Sequence, residues 1–307
     1  MPRFLAFVLH LLATALTRLP WRWLLLAADA FASRALRSRT REARVVRRNL
    51  ELAYPDLLPT ERDGWLHAIL QGTARQALET LRLWTRPHAR NLSMIREQHG
   101  AALFEAALKS GRGVIVAAPH YGNWELLNQW LAARTPLAIL YAPPESEITE
   151  AFLNRVRSAQ GDADRITQVR AEGPAVRQLF KVLKDGGVVG ILPDQQPKQG
   201  DGEFAPFFGQ PALTMTLLGR LAARTGATVL MAWCERVDAR EAGPRYALHF
   251  EPAPAAVSDA DPVQSVAALN AAVERIARRD PAQYQWTYKR YSLQPGHKPN
   301  PYWPDCY

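Results

Sequence analysis

The stretch Val114-Ile115-Val116-Ala117-Ala118-Pro119-His120-Tyr121-Gly122-Asn123-Trp124-Glu125-Leu126-Leu127 decides the fold. It opens on an apolar run rich in β-branched residues and stopped by proline, the mark of a short buried strand over 114–118. Trp124 to Ala133 then carries the apolar spacing of a helix, with Asn123 in the N-cap position. A strand that passes straight into a helix is half of a crossover between parallel strands. Outward from it the alternation continues. Ala101 to Ser110 reads as a helix stopped by Gly111, and Leu137 to Tyr141 as a strand running into Pro143 and Pro144. Further on come a helix near 174–184, a strand over 188–192, a helix near 214–224, strands over 228–234 and 246–251, and a helix over 263–278. The prediction is an α/β fold, a mixed, mainly parallel sheet flanked by helices.

The N-terminus reads differently. Phe4 to Leu16 is apolar apart from His10 and Thr14, and Trp21 to Ala32 is apolar apart from Arg22 and Asp29. Neither piece reaches the roughly 20 residues of a full membrane span. With Arg18, Pro20 and Arg22 as a polar break, the segment fits a kinked span, a re-entrant hairpin or a helix lying in the membrane interface. Arg34, Arg37, Arg41, Arg44 and Arg48 follow at a 3-4-3-4 spacing, one face of a helix. Residues 1–33 are therefore expected to be an apolar membrane-anchoring helical segment, with a basic helix over 34–50 at the membrane surface opening a domain over 34–307. A cleavable signal peptide fits less well, because no small-x-small site follows a short apolar core and the arginines would oppose translocation.

The formal charge of +9 favours anionic partners. Nucleic acid is set aside, since the apolar segment directly upstream of the arginine stripe makes lipid the better anionic partner. The two cysteines, Cys234 and Cys306, are too few for a disulfide framework and form no CxxC.

His120 and Glu125 form the sharpest chemical constellation. A histidine just past a strand end stands in the mouth of the sheet, where ligands bind. Positions five apart diverge on a regular helix, so a turn at Gly122 is needed to bring imidazole and carboxylate together. Glu125 would then fix the histidine tautomer, and the other ring nitrogen would take a proton from a hydroxyl. On spacing alone, a buried structural histidine with a solvent-facing glutamate fits equally. No GxSxG, HExxH, P-loop or GxGxxG occurs, which leaves general base as the chemical role for His120 and implies neither metal nor organic cofactor. Asp194 and Gln195 follow the 188–192 strand as His120 follows its own, so both loops are expected to open on one sheet edge.

Taken together, Arg48-Asn-Leu50 with Tyr54-Pro55, the box from His120 to Glu125, Pro193-Asp194-Gln195, Ala205-Pro-Phe-Phe-Gly209, and Gln283-Tyr-Gln-Trp286 ahead of Lys289-Arg290 resemble the lipid A late acyltransferases, of the H-x4-D/E glycerolipid-acyltransferase type. The resemblance covers nearly the whole chain. It implies transfer of an acyl chain from acyl carrier protein to a hydroxyl of a lipid A precursor, at the cytoplasmic side of the bacterial inner membrane. It implies His120 as base, Glu125 as its partner and an arginine acting on the transition state, with Arg157 first and Arg155 and Arg170 behind it. Asn123, Arg155, Arg170, Asp194 and Gln195 are the expected substrate-binding residues. Two departures stand out: Glu125 where many such enzymes have Asp, and Tyr288 where His is expected. The rivals are the same chemistry on another glycolipid or a lysophospholipid with acyl-CoA, and a non-catalytic lipid-binding protein on the same fold.

Overall fold

The computed structural model describes residues 2–141, 146–159, 165–170, 173–237 and 243–307. The strands are β1 (Ile95–His99), β2 (Val114–Ala117), β3 (Leu137–Tyr141), β4 (Ile166–Arg170), β5 (Val188–Ile191), β6 (Gly202–Phe207), β7 (Gln210–Met215), β8 (Thr228–Arg236) and β9 (Tyr246–Pro252). The helices are α1 (Pro2–Arg18), α2 (Trp21–Arg37), α3 (Arg41–Ala53), α4 (Pro59–Trp84), α5 (His88–Leu92), α6 (Ala101–Lys109), α7 (Trp124–Ala132), α8 (Glu147–Ala159), α9 (Gly173–Lys184), α10 (Leu217–Thr225) and α11 (Pro262–Ala277). The prolines at 143 and 144 lie outside the described residues.

One sheet runs in the order β1-β9-β8-β2-β5-β3-β4. From β8 to β4 every pairing is parallel, while β9 is antiparallel to β8 and β1 runs alongside β9. The sheet is thus mixed and mainly parallel, as expected. Strand β2 lies within it and is buried on both faces, which is why its sequence is apolar at consecutive positions and does not alternate. Val114 and Val116 pack with Phe104, Leu126 and Trp130, whereas Ile115 and Ala117 pack with Leu179, Met231 and Ile276 on the other side.

The expected helix starting at 214 is corrected to α10. Residues 210–215 pair instead with β6 in an antiparallel hairpin, closed by Phe208 (φ 50°) and Gly209 (φ 72°). Positive φ at both central residues makes the two-residue turn that follows strand twist. Phe208 occupies the place where Asn or Asp usually announces it.

Helices α1 and α2, each 17 residues, meet at 110° across Leu19 and Pro20. No single helix among the described residues is long and apolar enough to cross a membrane. Their inner faces are buried through Ala6, Ala13, Leu24, Ala28 and Ala32, while Phe4, Leu12, Trp23, Leu26 and Phe31 are exposed. The single basic helix expected over 34–50 is also corrected. Helix α2 carries Arg34 and Arg37 at its C-terminus, where cations offset the helix dipole, and α3 begins afresh at Arg41. Arg39 at φ 46° and Thr40, whose hydroxyl caps α3 by accepting from the Ala43 N–H at 3.4 Å, make the break.

Helix α4 is tied to β8 by a two-pronged ion pair, with Arg236 Nε and Nη2 at 2.6 and 3.1 Å from the Glu79 carboxylate oxygens. Glu79 is 1% exposed. Replacing it with alanine strands a buried guanidinium. Glu79→Ala is expected to cost about 3–5 kcal/mol, read as a lowered denaturant midpoint in detergent; a shift below about 1 kcal/mol would show that water reaches Arg236.

Candidate active site

The register of two parallel strands builds the site. Ala117 of β2 lies opposite Ile191 of β5, and the Ala118 N–H donates to the Ile191 carbonyl at 2.9 Å. Three residues beyond each strand end stand His120 and Asp194, at the same level over the same edge. The Asp194 carboxylate lies 2.8 Å from His120 Nδ1 and accepts from the His120 backbone N–H at 2.9 Å. Because an ionised carboxylate can only accept, Nδ1 carries the proton and Nε2 bears a lone pair. Gln195 Nε2 sits 3.2 Å from that lone pair and also donates to Gln285 Oε1 at 3.3 Å. The His120 side chain is 12% exposed, enough for a small group to reach it. Such an imidazole can take a proton from a hydroxyl, and the imidazolium formed is stabilised by Asp194.

Each residue after His120 serves this placement. Tyr121 is fully buried, and its hydroxyl donates to Glu235 on β8 at 2.5 Å. Burial raises the Glu235 carboxyl, but hydrogen bonds from His249, Arg279 and Tyr121 outweigh it and hold its pKa down at about 2. Gly122 (φ 62°) presses its backbone on Cys234, where a Cβ would come within 2.1 Å of the carbonyl oxygen. No other residue fits there without moving β8. The Asn123 side chain accepts from the Leu126 N–H at 3.2 Å and caps α7. The Trp124 ring meets the imidazole edge-on, with centroids 6.2 Å apart.

Glu125 is buried in the first turn of α7, which suits a negative charge. The expectation that it fixes the histidine tautomer is corrected, because Asp194 and Gln195 occupy the two ring nitrogens. Neighbouring parallel strands bring the Asp194 loop to the imidazole.

The two expected arginines whose side chains are described are engaged elsewhere. Arg155 on α8 stacks over the Phe7 ring of α1 at 4.6 Å. Arg170 ends the edge strand β4, 3.8 Å from Glu150. It lies on the same sheet edge as His120 but three strand spacings away, about 14 Å. Arg157 belongs to α8, and its side chain lies outside the described residues.

The C-terminal segment, which sequence reading used for the resemblance without giving it a place in the site, completes the site. The Gln285 N–H donates to the His120 carbonyl at 3.0 Å, and the Gly122 N–H to the Gln283 carbonyl at 3.0 Å. Asn49 of α3 donates to the carbonyls of Trp286 and Tyr288 at 2.6 and 2.9 Å. A cavity of about 10 Å³, room for one water, is lined by Asp194, Tyr284 and the buried Arg290. Burial drives the Asp194 carboxyl upward, but the His120 charge and the hydrogen bonds from its ring and backbone prevail, so its pKa lies below the ordinary value. Away from the site, Arg39, Arg44, Arg47 and Arg48 line a cleft of about 650 Å³.

The family model of the bacterial lipid A biosynthesis acyltransferases matches residues 1–292. The chain is 26% identical over 272 residues to the lipid A biosynthesis lauroyltransferase of Escherichia coli (strain K12), covering 87% of this chain and 85% of that one. It is 26% identical over 259 residues to the palmitoleoyltransferase of the same strain, covering 83% and 80%. A phosphatidylinositol mannoside acyltransferase of Mycobacterium tuberculosis (strain CDC 1551 / Oshkosh) is 29% identical over 178 residues, 56% of this chain and 54% of that one.

The lowered Asp194 pKa carries a sign. Its ionised form adds stability that is fully present above the unfolded-state value of about 3.9 and is lost as pH falls through the lower folded value. The melting temperature of Asp194→Asn is expected to lie below that of the wild type at neutral pH, with the gap closing on acidification. A gap that stays constant down to about pH 3 would mean that Asp194 is not ionised in the folded protein.

Proposed function

We propose, for a chain that belongs to the bacterial lipid A biosynthesis acyltransferase family, that it moves a fatty acyl group from acyl carrier protein to a hydroxyl of a lipid A precursor of the Kdo-lipid IVA type. The observation that carries this reading is the imidazole of His120, held through Nδ1 by Asp194 and met at Nε2 by the Gln195 carboxamide. The acceptor hydroxyl gives its proton to Nε2 as its oxygen attacks the thioester carbonyl. The tetrahedral intermediate then collapses, the C–S bond breaks, and the carrier thiolate leaves with the proton from Nε2. No acyl group is held on the enzyme. Glu125, buried in the first turn of α7, supports the base from the junction of its loop and helix. Arg157 is the cation for the thioester carbonyl or the acceptor phosphates, with Arg155, Arg170 and Asn123 as further substrate contacts.

The same reading places the protein on the bacterial inner membrane with its sheet facing the cytoplasm. Helices α1 and α2 lie in the interface: at about 25 Å each they are shorter than the roughly 30 Å hydrocarbon core, and one face of each is already buried in protein. The arginine-lined cleft supports the approach of anionic partners, the acidic carrier or the acceptor's phosphates.

Membranes bearing wild type or His120→Ala, offered lauroyl, myristoyl and palmitoyl carrier protein with a radiolabelled tetra-acylated precursor, test the reaction. The variant is expected to lose at least about 100-fold in rate. Similarity to a phosphatidylinositol mannoside acyltransferase makes mannosides the second acceptor to offer. Transfer to a mannoside or lysophospholipid alone would overturn the lipid A acceptor and keep the chemistry. For the anchor, Leu26→Asp with Phe31→Asp is expected to shift protein from the membrane pellet to the supernatant, and unchanged sedimentation would sink the interfacial reading.

A further inference from the structure

We propose that the Gln195 carboxamide is the neutral donor to the oxyanion of the acyl transfer, and that Gln285 is the residue that positions it. The assignment rests on the acyl-transfer reading. With the Nδ1 proton committed to Asp194, Nε2 has a single lone pair, and the Gln195 amide now stands on it at 3.2 Å. The orientation of that amide follows from its neighbours. Reversed, its oxygen would face both the imidazole lone pair and Gln285 Oε1, two acceptors; with the NH2 inward, both contacts are hydrogen bonds.

An acceptor hydroxyl must give its proton to the same lone pair, so it takes the place of the Gln195 N–H. The amide cannot go far. Gln285 Oε1 holds its nitrogen at 3.3 Å, and the Gln285 backbone N–H is bonded in turn to the His120 carbonyl at 3.0 Å, closing a ring of three residues. The next residue is pinned as well: the Gln196 N–H donates to the Tyr288 hydroxyl at 3.1 Å, and its side-chain oxygen accepts from the Leu293 N–H at 2.8 Å. The released N–H therefore stays within a side-chain rotation of Nε2. The reacting carbonyl must lie there too, because its carbon bonds to the oxygen that has displaced the amide. As that bond forms, the carbonyl π pair moves onto oxygen, which accepts from Gln195; on collapse the pair re-forms the carbonyl and the thiolate departs. A donor aimed where charge develops, and occupied by the base beforehand, reorganises little at the moment of reaction.

Steady-state transfer by the full-length protein is measured for wild type, Gln195→Ala and Gln285→Ala, with the melting temperature of each. Gln195→Ala is expected to lose about 10²–10³-fold in kcat, the usual cost of removing one oxyanion donor. Its acceptor KM is expected to change less than about threefold, as for a bond made only in the transition state. Gln285→Ala, which keeps the donor but frees it, is expected to lose less kcat than Gln195→Ala, again with KM held. A Gln195→Ala enzyme that keeps kcat within about threefold of wild type, or loses activity only through KM, overturns the assignment while leaving acyl transfer intact. A wild type inactive with every donor and acceptor overturns the acyl-transfer reading and the assignment together.

Discussion

The pairing of β2 with β5 is the constraint on which the rest depends. Two parallel strands in register deliver their following loops at equal height, so a histidine three residues past one meets an aspartate three residues past the other. That meeting is set first by the strands. It requires that both strands be buried on both faces, and hence that helices cover the sheet above and below. The apolar residues of α7, α9 and α11 do so. Core packing and catalytic geometry are therefore one problem in this protein: a slip of β5 by one residue would move Asp194 by over 3 Å and uncouple it from the ring.

A second layer closes around that pair from distant parts of the chain. The segment from Gln283 to Arg290 lies across the strand ends, stapled to the His120 turn by backbone bonds and to α3 by Asn49. Asn49 is itself buried, and its side-chain oxygen accepts from the Tyr302 hydroxyl at 2.5 Å. Arg290 continues the lattice by donating to the Leu213 carbonyl at 2.6 Å, so the β6–β7 hairpin is held by the same segment. A rotation of the His120 ring would break its contacts with Asp194 and Gln195 together, while Gln285 holds the His120 backbone, and this is how the turn is kept in one geometry.

Much of this was legible before any coordinates. Strands whose residues are buried on both faces announce themselves by apolar runs, and β2, β3, β5, β8 and β9 were placed to within a residue or two. The strands that were missed lack that signal for physical reasons. Strand β1 is an edge strand whose residues from Arg96 to His99 are exposed, β4 is the opposite edge, and the β6–β7 hairpin carries Pro206 and Pro211. At the site, His120, the glycine turn and the Asn123 cap were readable because each is a local feature. The identity of the histidine's partner was not. Glu125 is close in sequence, whereas it is strand register that brings Asp194 to the ring. Asn49 and Gln285 lie inside motifs that carry the family resemblance, yet their roles were not legible, since an amide that holds a backbone looks like any other polar residue until the chain is folded.

The reversed direction of β9 and β1 has a practical corollary. Their C-terminal ends open on the far edge of the sheet, where the segments entering β2, β5 and β8 also lie, and nothing there borders the imidazole. Gly111 sits on that side, exposed, and a side chain built on it would start in open space. It is the natural place for an affinity tag, a fluorophore or a split-protein junction, because chain added there lengthens a loop whose closure entropy grows only slowly with length and leaves the chemistry undisturbed.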